Sequence, residues 1–417
     1  MKNSVKNKTV LNILTFSLIL QASSQAMAVP PAAPAPKGST IACEKDMSFG
    51  AWLEGVKQEA LAQGITPANL KSALPYLKID SDVLAKDRSQ GVFQLPFLDF
   101  SDKMISASRI KKGTEKIKST EKEIFTRIEK DFGVPPEPIV AFWALESDFG
   151  TFTGKFQVLT SITTLAYDCR RSDMFRAQLI SALKLIQRGD LKAQEMIGSW
   201  AGEIGGTQLM ASDYFASGVD YDKDGRVNLV KSTPDTLASA AQFLVNHGWM
   251  RGQPWLQEVR IPREMPWQEA DLSIQHPVSK WTAWGVTPAQ GNLPSQDLPA
   301  SLLLPMGRLG PAFLAYPNFQ VILGWNSSIV YSTTAAFLAT RLAGAPAVFR
   351  GNGVVKSLTP DQMQEVQKGL LELGYDPGPI DGKLGTATRV AVKQAQLHFG
   401  LPADSYPSIE LLQTLKR

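Results

Sequence analysis

The chain has 417 residues, 44% of them hydrophobic and 20% charged, with a formal net charge of +4. That length predicts two or three domains and ample chain for a large core. Lys2, Lys6 and Lys8 supply three of the four net charges and no long Lys/Arg run follows, so the composition argues against nucleic acid as a partner.

Those three lysines precede an apolar run from Val10 to Leu20, and Ala26-Met27-Ala28 is a small-x-small cleavage site. Residues 1–28 therefore read as a secretory signal peptide, too short in its apolar part to span a bilayer. No Cys stands at the cleavage point, so the expectation is an exported, soluble, periplasmic protein without a stable membrane anchor. Residues 29–42 are a Pro/Ala linker. Phe49 to about Leu77 carries apolar positions at helical spacing and predicts two helices joined around Gly64. Lys111 to Lys130 is highly charged, with sparse Ile117, Ile124 and Ile128, and reads as a surface helix.

The stretch PPEPIVAFWALESDFGTFTG from Pro135 to Gly154 is the centre of the reading. Its prolines form a helix entrance, where a missing N–H costs nothing, and Gly150 is the expected exit. Ile139 to Leu145 leave no polar face, so this helix should be buried all round. Glu146 follows them near the helix C-terminus. Burial and the macrodipole both favour its protonated form, which suits a general acid; a buried Glu paired to an Arg or a backbone amide is the structural alternative. Asp148 points to another side of the helix.

Thr160 to Ala166 and Ser172 to Leu191 read as helices separated by Asp168-Cys169-Arg170-Arg171. Paired arginines at a helix entrance suit a solvated face or, beside a cleft, acidic or acetylated groups. Ser199 to Gln208 (SWAGEIGGTQ) is a Gly-rich turn that also suits close backbone approach to a ligand. Asp220, Asp222 and Asp224 with Gly225 form the opening of a calcium loop, with Arg226 at the seventh position. Lys231 occupies the twelfth position, where a bidentate Glu is usual, and Asp235 is the candidate replacement for a structural calcium; a solvated acidic turn is the alternative. No cofactor is expected for the chemistry.

Pro234 to His247 predicts a helix with a Thr cap, and residues 255–325 predict short strands in an irregular lobe. Asn326 to Leu342 predicts a final helix of this domain, spanning 43–343, before a second linker at 344–355. Residues 356–417 predict a small three-helix binding unit, opened by the capping box of Thr359 and Gln362. Cys43 and Cys169 are the only cysteines, and an exported chain with two predicts one disulfide or two separate thiols. Three scattered histidines argue against zinc.

Taken together, ALESDFG around Glu146, DCRRSDMF at 168–175, GSWAGEIGGTQL at 198–209, DYDKDGRVNL at 220–229 and YPNFQVILGWNSSIVY at 316–331 resemble the peptidoglycan lytic transglycosylases of the membrane-bound B type. Residues 358–415 are similar to the three-helix peptidoglycan-binding domain often appended to them. The resemblance implies a mainly α, α+β lysozyme-like domain with a small β-containing lobe, peptidoglycan glycan strands as partner, and Glu146 as sole catalytic acid/base. It further implies Arg170, Arg171, Ser199, Gln208 and Asn326 as cleft residues. Phe243 and Trp325 stand where some members have tyrosines, which keeps sugar stacking and drops a phenol hydrogen bond. Glu203 falls where a small residue is more common. The implied reaction closes a 1,6-anhydromuramic ring; a hydrolytic muramidase and a non-catalytic peptidoglycan-binding scaffold are the alternatives.

Overall fold

A computed structural model of the chain describes residues 47–89 and 95–416. The expected leader, first linker and Cys43 lie outside them. Six helices open the domain: α1 (Phe49–Ala62), α2 (Pro67–Ala73), α3 (Ser81–Arg88), α4 (Phe97–Met104), α5 (Ala107–Glu115) and α6 (Lys122–Phe132). The first two are joined at Gly64, whose φ of 86° only glycine adopts readily, as its place between the two apolar patterns predicts.

The charged stretch from Lys111 is not one surface helix. A π turn at Lys116–Thr120 separates α5 from α6, which buries Phe125 and Ile128. Gly113 explains why the first piece must sit close: a side chain there would meet Leu342 and Val140.

The proline-led helix is α7 (Pro136–Ser147). Its residues Ile139 to Ala144 are at most 4% exposed, because α5, α6 and two later helices enclose it. Next come strand β1 (Phe156–Gln157), helices α8 (Val158–Tyr167) and α9 (Ser172–Arg188), and strand β2 (Ile197–Gly198), antiparallel to β1. Helices α10 (Ala211–Ser217) and α11 (Thr233–Asn246) follow. The cap of α11 is Ser232, which accepts from Asp235 N at 3.2 Å, one residue ahead of the expected Thr233.

The lobe holds β3 (Leu256–Arg260), β4 (His276–Pro277), α12 (Val278–Ala283), β5 (Thr287–Pro288), β6 (Pro299–Leu303) and β7 (Ala312–Ala315). Its strands make one antiparallel sheet in the order β4-β6-β7-β3-β5 over a separate core around Trp281 and Tyr316. The expected final helix is two, α13 (Pro317–Trp325) and α14 (Ile329–Leu342). Asn326 Oδ1 accepts from Ser328 N at 2.9 Å, and Ser328 caps α14, so the Asn-Ser-Ser triplet turns the chain.

Helices α15 (Pro360–Glu372), α16 (Thr386–His398) and α17 (Ile409–Leu415) form the C-terminal unit around Val366, Leu370, Val392 and Leu411. Thr359 and Gln362 make the capping box that was expected. This unit is seated on the lobe. Lys393 Nζ lies 2.9 Å from Asp271 Oδ2, and Arg389 Nη2 donates to Pro305 O at 2.7 Å. Segment 344–355 is also held, with Asn352 Nδ2 donating to Ile261 O and Gly353 N to Leu309 O, each at 3.1 Å.

Candidate active site

Helix α7 is capped at Asp148, two residues before the expected Gly150. Asp148 and Phe149 both take left-handed backbone, with φ of 48° and 63°. Asp148 tolerates this because its carboxylate is held between Arg109 at 3.6 Å and Lys112 at 3.4 Å, away from the acid two residues earlier. Ser147 Oγ accepts from Gly150 N at 2.8 Å and donates to Gly206 O, fastening the helix end to the Gly-rich loop.

Glu146 is thereby held at the seam between the helical body and that loop. Its Oε1 accepts two hydrogen bonds, from the Tyr331 phenol on α14 and from Trp325 Nε1 at 3.1 Å. Among the described residues no hydrogen bond reaches Oε2, which leaves that oxygen to carry a proton. Burial pushes the carboxyl up to about 7, the two donors pull the other way, and the nearby charge of Glu203 adds to the rise. A carboxylic acid that is still substantially protonated at neutral pH is the result. The Tyr331 phenol, only 6% exposed and beside this carboxyl, is itself pushed well above its usual range and stays a donor.

Trp325 lies flat on Phe142, with ring centroids 4.1 Å apart, and meets Phe243 edge-on at 4.8 Å. Phe243 is 3% exposed and stacks on His247 at 4.0 Å. The expectation that Phe243 offers a face to sugar is therefore corrected: its ring is spent in supporting Trp325.

The Gly-rich loop keeps Ser199 and Gln208 beside the helix end. A side chain at Gly154 would collide with the backbone of Gly198 and Ser199, so the segment after α7 and this loop touch main chain to main chain. Gln208, at a φ of 51°, donates through Nε2 to Gly205 O at 2.7 Å and Thr153 O at 3.2 Å. Ser199 Oγ donates to Glu203 Oε2 and accepts from Ala201 N at 3.0 Å.

Arg170 and Arg171 converge on one acid. Both guanidinium groups bind the carboxylate of Asp87 on α3, whose side chain is 2% exposed. Their hydrogen bonds thus go to this buried acid and not to Glu146. Asn326, beside Trp325, uses its side-chain oxygen on Ser328 N and its carbonyl on Ser332 Oγ, which donates to it at 2.5 Å. Tyr331 and Asp87 carry no local pattern that singles them out; Tyr331 closes the YPNFQVILGWNSSIVY stretch, and only the approach of α14 to α7 gives it a role.

In the acidic loop, carboxylate oxygens of Asp220, Asp222 and Asp235 lie within 4.8 Å of one another. Asp235 is fully buried and accepts from Tyr221 N and Asn228 N, each at 2.8 Å. Asp224 is not among them; its Oδ1 accepts from Arg226 N at 3.0 Å. The Arg226 side chain faces Glu195 at 3.7 Å and Asp224 at 3.9 Å. Three carboxylates around a turn made sharp by Gly225, with a φ of 97°, are an oxygen donor set that fits a hard cation such as calcium. Cys169 is not a free thiol, while its expected partner Cys43 lies outside the described residues. No described helix is long and apolar enough to cross a membrane.

A mainly helical body with a small antiparallel sheet, carrying one enclosed acid at the mouth of a Gly-rich loop, defines a lysozyme-like α+β protein with an appended helical unit. Residues 48–340 match the family described as Transglycosylase SLT domain, and the chain belongs to that family. Residues 359–415 match a peptidoglycan binding domain. Membrane-bound lytic murein transglycosylase B of Escherichia coli K12 is 30% identical over 204 residues, which are 48% of this chain and 55% of that protein. The chain thus spans about half the length of this curated relative. SltB3 from Pseudomonas aeruginosa, solved in complex with NAG-anhNAM-pentapeptide, is 37% identical, with a TM-score of 0.81 over 89% of this chain and 100% of that one. Slt35 from Escherichia coli, solved in complex with calcium, is 26% identical, with a TM-score of 0.60 over 70% of this chain and 92% of that one.

Proposed function

We propose that the protein is a peptidoglycan lytic transglycosylase that cleaves the MurNAc-GlcNAc β-1,4 bond and leaves 1,6-anhydromuramic ends. The observation that carries this reading is Glu146, a partly enclosed carboxylic acid raised to about 7 with one oxygen held by Trp325 and Tyr331 and the other left for the reaction. Most glycosidases set a second carboxylate to activate water or attack the sugar. Here the substrate acetamido oxygen attacks C1 while the Glu146 proton passes to the leaving O4. The Glu146 carboxylate then takes the proton of the muramic C6 hydroxyl as that oxygen bonds C1 and the acetamido oxygen leaves. No water is consumed.

Relatives support the assignment through what they bind: SltB3 was solved with NAG-anhNAM-pentapeptide and with NAG-NAM-pentapeptide. The C-terminal unit would add retention on the sacculus, and the leader would send the chain to the periplasm. Asp220, Asp222 and Asp235 would hold a structural calcium with no part in the chemistry, and a Cys43–Cys169 disulfide would tie the start of the domain to the segment of Arg170 and Arg171. The test is digestion of purified sacculi by the mature protein with weighing of the muropeptides. Products lighter by one water than hydrolytic ones are expected, and reducing-end products would overturn the reading.

A further inference from the structure

The Ser199 hydroxyl is fully used within the protein. Its one proton goes to Glu203 Oε2, while its oxygen accepts from Ala201 N at 3.0 Å and Glu203 N at 3.3 Å. It therefore has no proton left for a ligand while Glu203 is ionised. The residue that remains is Glu203, partly buried, whose Oε1 receives no hydrogen bond among the described residues. Its backbone is fixed as well: Ser199 N donates to Glu203 O at 2.9 Å, and the next residue, Ile204, exchanges hydrogen bonds with Leu209. The loop is tied through Gly206 O to Ser147, the residue after Glu146, and the Glu203 charge is near enough to act on the Glu146 carboxyl.

We propose that Glu203 is a second carboxylate of this active site, one that accepts the acetamido N–H of the reacting sugar through Oε1 while Ser199 locks Oε2. An ionised carboxylate has only lone pairs to offer, and near C1 the acetamido N–H is the donor joined to the attacking carbonyl. Accepting that proton in a hydrogen bond shifts electron density to the carbonyl oxygen and turns it towards C1. In the step, the acetamido oxygen bonds C1, the C1–O4 bond breaks, and O4 takes its proton from Glu146. The N–H proton never leaves nitrogen, where the positive charge of the bicyclic intermediate is met by the negative charge of Glu203. The attack of the C6 hydroxyl then reopens that ring and returns one proton to Glu146. Glu203 is neither consumed nor protonated.

This rests on the transglycosylase reading, and the tests separate the two. Glu203→Ala and the near-isosteric Glu203→Gln are compared with wild type for cleavage of glycan strands and for calorimetric binding of the 1,2-thiazoline of N-acetylmuramic acid, which imitates the bicyclic intermediate. The expected result is a fall in kcat on the order of 10- to 10²-fold in Glu203→Ala with little change in KM. At a pH where the ring nitrogen is protonated, as it is in the intermediate, thiazoline affinity should drop at least about tenfold in both variants, since each loses the charge opposite that N–H. Ser199→Ala, which removes the lock on Oε2 but keeps the charge, should lower that affinity less than Glu203→Ala does. Wild-type thiazoline binding by Glu203→Gln, or a loss confined to KM, would overturn the proposal; failure of the wild type to cleave any strand would instead overturn the transglycosylase reading.

Discussion

Trp325 reaches 179 residues back along the chain to place its indole N–H 3.1 Å from Oε1 of Glu146. The same ring is pinned between Phe142 beneath and Phe243 at its edge, so the donor cannot swing away without breaking an aromatic stack. One oxygen of the acid is thereby oriented by the core, and the other takes no hydrogen bond among the described residues.

Glu146→Gln should abolish cleavage, since general acid help alone is worth about 10² to 10⁴ in rate. It should also change how stability follows pH. The folded-state carboxyl is raised from 4.5 to about 7, so its contribution is complete below about 4.5 and is lost as pH rises through about 7. The wild type should give up about 2 to 3 kcal/mol across that window that the amide keeps. Denaturant titrations at pH 4.5 and pH 8.5 check this; equal pH dependence in the two proteins would refute the assigned proton.

Tyr331→Phe removes a donor that favours the ionised form of Glu146. The alkaline limb of the activity profile should move upward, while the maximal rate falls, because the carboxylate formed after the first proton transfer loses a partner. A downward or absent shift in the pH–rate profile would contradict the geometry.

Calcium should raise the melting temperature of the wild type at millimolar concentration, and Asp220→Asn or Asp222→Asn should remove that response. Asp224→Asn should matter less, since Asp224 stands outside the cluster of Asp220, Asp222 and Asp235. Thermal scans with and without chelator distinguish these, and an identical effect of all three variants would count against the cluster as the binding site.

Much of this was readable from residues because the signals were local. Seven apolar residues in succession behind a proline entrance predict a helix buried on every face, and place the acid at their end at the core surface. The capping box at Thr359 and the glycine joint at Gly64 are equally local. What escaped the sequence depends on distant partners. Gly150 looked like the stop of α7, but Arg109 and Lys112 draw the stop forward to Asp148. Arg170 and Arg171 suit a solvated face or a cleft by sequence, and only Asp87, more than 80 residues earlier, shows where both are bound. Phe243 reads as a sugar platform only through the resemblance, which puts it where some members have a tyrosine; its packing against Trp325 and His247 is a matter of distant partners.

The seating of the C-terminal helices on the lobe makes the peptide connection between them partly redundant. Arg389 reaches main-chain oxygens at Leu304 and Pro305, Asp404 takes the amide of Arg308 at 2.9 Å, and Lys393 meets Asp271, whose side chains are only 15% and 21% exposed. A pair so shielded from water holds through its geometry as well as its charge, and salt weakens it less than an exposed pair. A protease nick between residues 344 and 355 should accordingly yield two fragments that travel together on a sizing column, held by the lobe's surface in place of the peptide chain.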